Sequence, residues 1–109
     1  MELETIEGGS GIVAQGDGAK ALLCECLARY ERGDIDALYD LGVAFSTGSH
    51  GTNCDMIEAH KWFNIAASKG HEEAAWCRAD VSDEMTAREI AEAQRQAREW
   101  LSDSRRAAA

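Results

Sequence analysis

The stretch AHKWFNIAASKG, residues 59–70, constrains the fold of this 109-residue chain more than any other. Trp62 and Phe63 are adjacent, and Ala59, Ala66 and Ala67 sit one turn to either side. Such an order of large and small side chains suits a helix packed closely on its neighbours, with the rings as ridges and the alanines as grooves. The stretch offers no serine–histidine pairing, no carboxylate pair and no glycine-rich phosphate loop. Its Lys69-Gly70 ending reads as a helix C-terminus, a cation near the dipole's negative end and then a glycine suited to a left-handed turn.

The same periodicity extends in both directions. Ala19, Leu22, Leu23, Cys26, Leu27 and Tyr30 form a helical stripe, predicting a first helix over 17–32 that Gly33 ends. Asp34 is expected to cap a second helix carrying Ala37, Leu38, Leu41, Gly42 and Phe45 on one side. Gly42 inside that helix costs about 1 kcal/mol relative to alanine, so a neighbouring backbone is expected to come close there. STGSHGTNC (46–54) reads as a loop. Asp55, with Glu58 three residues on, opens the third helix, and a fourth follows over 71–82 with Ala74, Cys77 and Val81 aligned. Thr86 and Glu89 form a capping box for a fifth helix bearing Ile90, Ala93, Ala97 and Leu101, after which RRAAA is expected to fray. Residues 1–16, with GGSG and the first glycine of GDG (16–18), show no period and read as a flexible tail. Proline is absent and β-branched runs are few, so the chain reads as all-α: about five helices joined by short connections.

From Ala37 to Ala74 the residues resemble one unit of the Sel-like repeat family, the short relatives of tetratricopeptide repeats. The similarity rests on Ala37, Leu41-Gly42, Phe45, Gly48, Asp55, Ala59, Trp62-Phe63, Ala66-Ala67, Gly70 and Ala74. The loop from Gly48 to Asp55 is one residue longer than that family's usual spacing, and Thr52 stands where it prefers valine. Residues 85–100, MTAREIAEAQRQAREW, are similar to the helix that often follows the last repeat in bacterial members. The implied organisation is one helical domain over 17–104, an α-α superhelix fragment of antiparallel helix-turn-helix units, with the clear repeat at 37–70 and a capping helix at 86–102. The resemblance implies a binding or scaffolding role with no catalytic residues and no cofactor. In that architecture the first helix of each unit lines a concave face, which implies Asp36, Tyr39, Asp40 and Val43 on the second helix, and Glu73 and Trp76 on the fourth, as partner contacts. Stacked repeats ordinarily need several units to bury a continuous core, so a single unit leaves an apolar end exposed or pairs with something.

Charge narrows the partner. A formal net charge of −9 disfavours phosphate backbones and anionic lipid, so neither nucleic acid nor a membrane is expected. Residues 1–60 carry eleven acids against three bases, and 61–109 nine against eight. A basic protein surface therefore suits the N-terminal half, unless the charge serves solubility alone. Asp36 and Asp40, one turn apart, suit a lysine or arginine of a ligand, or form a solvated face. Trp76 falls off the Ala74–Cys77–Val81 stripe: either the fifth helix folds back over it, or it stands exposed as an interface anchor. A two-fold homodimer is the alternative use of an open end.

A metal- or thiol-dependent protein would draw on His50, Cys54 and His60, which lack the tight pair spacing of structural zinc sites. Cys24 and Cys26 lie about 200° apart around a helix and cannot bridge without unwinding it. MELETIEGGSG lacks the basic and apolar runs of a secretory leader, so the four cysteines are expected as reduced thiols in a cytoplasm.

Overall fold

The computed structural model describes residues 10–108, with side chains described over 18–104. It is all-helical: α1 (Ser10–Glu31), α2 (Asp36–Thr47), α3 (Met56–Ser68), α4 (Glu72–Ser82) and α5 (Ala87–Ala108), with no strand among the described residues. α3 is the centre, packed against α2, α4 and α5, while α1 lies on α2 and α2 also touches α4. This arrangement is consistent with a fold of antiparallel helical repeats. Among the described residues no helix is long and apolar enough to cross a membrane.

Adjacent residues on a helix point about 100° apart, so Trp62 and Phe63 face different neighbours. Trp62 meets Trp100 of α5 edge-on, with ring centroids 5.4 Å apart, and Trp100 in turn lies 5.8 Å from Tyr30 of α1. The Trp62 indole keeps its hydrogen bond, donating from Nε1 to Glu58 Oε1 at 3.1 Å. Phe63 turns towards α2, where it lies over Gly42 and beside Tyr39 at 5.8 Å. A Cβ at position 42 would stand 2.5 Å from two carbons of the Phe63 ring. The close approach expected at Gly42 is thus made by a ring, not by a backbone. Ala37, Leu38, Leu41, Ala59, Ile65, Ala66 and Ala74 complete the buried layer.

The helix ends follow local chemistry with one exception. Gly33 and Gly70, with φ of 99° and 101°, each close a helix so that the following residue's amide reaches back: Asp34 N donates to Arg29 O and His71 N to Ala66 O. Asp55 caps α3 by accepting from Glu58 N at 3.2 Å. Thr86 and Glu89 make both bonds of the capping box, at 2.9 and 3.1 Å. Asp34, however, does not cap α2. Its carboxylate is taken by Arg29 Nε at 3.0 Å, and α2 starts after Ile35 with no side-chain cap. The glycine turn at Gly33 holds Asp34 back beside the end of α1, where a cation competes for its oxygens.

Two boundaries differ from the sequence reading. α1 begins at Ser10, so residues 10–16 of the expected tail are helical; residues 1–9 lie outside the described residues. GDG looked like loop punctuation, but Gly18 is a contact residue: a Cβ there would overlap the Gly51 carbonyl, so the bare backbones of α1 and the 48–55 loop touch. α5 likewise runs on to Ala108, through most of the terminal RRAAA. The long loop is pinned from inside by Thr52, which is buried and donates its hydroxyl hydrogen to Ser49 O at 2.8 Å, with Ala44 O at 3.2 Å.

Candidate interaction surface

α2 and α4 lie side by side on α3, and one side chain ties them together. His71, which follows Gly70, caps α4: its Nδ1 accepts from Ala74 N at 3.1 Å. That bond fixes the neutral ring's hydrogen on Nε2, which donates to Asp36 Oδ1 of α2 at 2.9 Å. The ring stacks on Tyr39, with centroids 4.7 Å apart and planes 10° from parallel. Cys77 Sγ donates weakly to the Tyr39 hydroxyl at 3.9 Å. Burial first, then the bond to Cys77 and the nearby Glu73 and Asp40 carboxylates, push the Tyr39 phenol above its ordinary pKa.

The six partner-contact candidates fall into three places. Asp36 and Tyr39 meet His71 at the joint, and Glu73 is exposed on α4 with its charge near Tyr39. Asp40 and Val43 turn instead towards α1, where with Leu22, Glu25, Cys26, Arg29 and His50 they line a groove of about 290 Å³. Asp40 accepts from Arg29 Nη2 at 3.0 Å, and this same guanidinium holds Asp34, so one cation staples the end of α1 to α2. The two aspartates one turn apart are therefore not an open acidic pair. Each already binds a side chain of its own fold. Reversing their charge would break the His71 and Arg29 bonds, so the effect on a ligand could not be separated from damage to the scaffold.

Trp76 is the third place. Of the two placements open to it, Trp76 takes the exposed one and the fifth helix does not fold back over it: α5 docks on α3, its Trp100 covering Trp62, and Trp76 is 75% exposed on α4. The reason lies in register. Ala93, Ala97, Trp100 and Leu101 form one stripe of α5, and α3 already presents a matching ridge, whereas Trp76 lies on the far side of α4 from Ala74.

The residues of the metal or thiol alternative are not gathered. His60 is 1% exposed in α3, its Nδ1 without a hydrogen-bond partner among the described residues, while His50 and Cys54 are exposed on the loop. Burial, and secondarily the Arg78 guanidinium, push the His60 imidazole below its ordinary pKa, so it is neutral in the fold. Cys54 donates to Ser46 O at 3.4 Å. Among the described residues no three histidine, cysteine or carboxylate side chains stand close enough to share an ion. All four thiols are free, and burial pushes that of Cys26 up, away from the thiolate form.

Sequence reasoning missed His71 and Arg29 as joints. His71 carried a weak signal, a polar residue between a C-terminal glycine and a Glu-Glu helix start. Its stacking on Tyr39 joins residues more than thirty positions apart and leaves no local mark. No protein-family model matches the sequence, and neither a curated protein nor a solved structure matches it, so the Sel-like similarity stands on the residues alone.

Proposed function

We propose that the chain is a non-catalytic adaptor of the Sel-like helical-repeat kind, binding another protein across the exposed side of α4, which α2 braces from behind. The observation that carries this reading is Trp76, a large indole left 75% exposed in a molecule whose other tryptophans pack on each other. Exposed tryptophan is the side chain most enriched at interface hot spots. The joint behind it favours the same use. With Asp36, Tyr39, His71 and Ala74 bonded or stacked together, α2 and α4 are held in a fixed relation, and a rigid face loses little entropy on binding. A cytoplasmic setting, where free thiols stay reduced, is part of the proposal.

The test is capture of partners from the native host with the intact chain and with Trp76→Ala, circular dichroism verifying equal helicity. Because Trp76 is so exposed, its removal leaves the core intact, and the proposal expects the captured protein to be lost. Capture that survives the substitution refutes this face. Light scattering across micromolar concentrations separates the homodimer: a dimer that Trp76→Ala dissolves assigns the face to a second copy.

A further inference from the structure

The exposed residues of α4 are Glu72, Glu73, Trp76, Ala79 and Asp80. Glu72 and Glu73 lie one turn before the indole and Asp80 one turn after it, so three carboxylates surround one large apolar side chain. The only base of α4, Arg78, is half-buried on the opposite side and donates to Asn64 of α3 at 2.6 Å. Among the described residues none of the three carboxylates is in an ion pair, in contrast to Asp34, Asp40 and Glu58. Glu72 and Glu73 sit where the helix N-terminus favours anions. Asp80, near the other end, is mildly disfavoured by the same dipole, and among the described residues no ion pair compensates it.

We infer that this face docks an arginine-bearing basic segment of another protein, with a guanidinium plane over the Trp76 indole and its N–H groups on the Glu73 and Asp80 carboxylates. The inference rests on the adaptor reading above and adds the chemistry of its partner. An indole is the best ring for a cation, and arginine supplies a flat, weakly hydrated one with donors directed sideways at the flanking acids. The net charge of −9 draws such a segment in from a distance. A two-fold contact between copies through this face would set the three carboxylates against their own equivalents, so charge disfavours a second copy.

The experiment is calorimetric titration of the full chain with a nona-arginine peptide at physiological salt, with a nona-lysine peptide as comparison. Trp76→Ala is expected to weaken nona-arginine binding roughly tenfold, and nona-lysine to bind the parent less tightly than nona-arginine. The pair Glu73→Lys and Asp80→Lys is expected to weaken it more than Glu25→Lys and Glu31→Lys, an equal change of net charge placed on the exposed side of α1. Binding indifferent to Trp76→Ala, or equally weakened by the two charge pairs, overturns the inference, because attraction would then be diffuse. If peptide binding ignores Trp76 while capture from the host requires it, the basic chemistry fails and the adaptor reading stands. If capture ignores Trp76 as well, both fail.

Discussion

Gly42→Ala is the sharpest test of how α2 and α3 fit. In an ordinary helix the change stabilises by about 1 kcal/mol, because alanine has less backbone freedom to lose than glycine. Here the new methyl would stand 2.5 Å from two Phe63 ring carbons, over an ångström inside normal carbon contact. Phe63 cannot swing aside: it is 1% exposed, with Tyr39 5.8 Å away on one side and the α3 backbone behind it. Relief therefore requires α2 and α3 to part, and overpacking of that kind costs about 1–3 kcal/mol, occasionally more. Against the propensity gain of about 1 kcal/mol, the net expectation is a loss of up to about 2 kcal/mol. In a domain of this size that lowers Tm by up to about 10 °C. Urea and thermal unfolding followed by far-ultraviolet circular dichroism measure it directly. Phe63→Leu, which withdraws the ring, should be destabilising alone yet make Gly42→Ala neutral or favourable in the double variant. A Gly42→Ala protein at least as stable as the parent would refute the close packing on which the whole helix pairing rests.

Three further outcomes follow from the same geometry. The unfolded chain protonates His60 near pH 6.5 while the buried neutral ring resists, so stability should fall as pH drops from 7 to 5, by up to about 1.4 kcal/mol per unit. Glu92, held down to about 2 by its bonds from Arg95 and Gln96, takes up its proton well below that window. Unfolding free energies of the parent and of His60→Gln across it should differ in slope, and parallel slopes would remove His60 as the cause. Thr86→Ala breaks the capping box and should cost about 1 kcal/mol, read as a lower urea midpoint at constant m; an unchanged midpoint would show that α5 does not need its cap. Thr52→Val keeps shape and burial but deletes the hydroxyl bonded to Ser49 O, so a loss of about 1 kcal/mol is expected, and a gain would mean that the added methyl outweighs the hydrogen bond.

How much of this was legible beforehand depends on how far apart the interacting residues lie. Helix positions came through because caps and stripes are local: Asp55 with Glu58, Thr86 with Glu89, and the glycines at 33 and 70 each act within six residues. Ala59, Trp62, Phe63 and Ala66 were readable as a buried face by spacing alone. The candidate surface was harder. Asp36 and Asp40 look like a free acidic pair in sequence because their partners, His71 and Arg29, lie on other helices. Trp76 could not be placed without knowing which helix α5 would choose, and that depends on Trp62 and Trp100 meeting across the fold. Gly18 misled for a related reason: a glycine needed for contact and one needed for a turn are the same letter.

The adjacency of Trp62 and Phe63 has a mechanical meaning for the domain. Long repeat arrays unzip unit by unit, since each module leans only on the next. Here a single helix is shared by the contacts on its two flanks, so α2 or α5 cannot let go without stripping one of those rings of its cover. Amide exchange should accordingly find α3 the slowest segment, opening only when the whole molecule does.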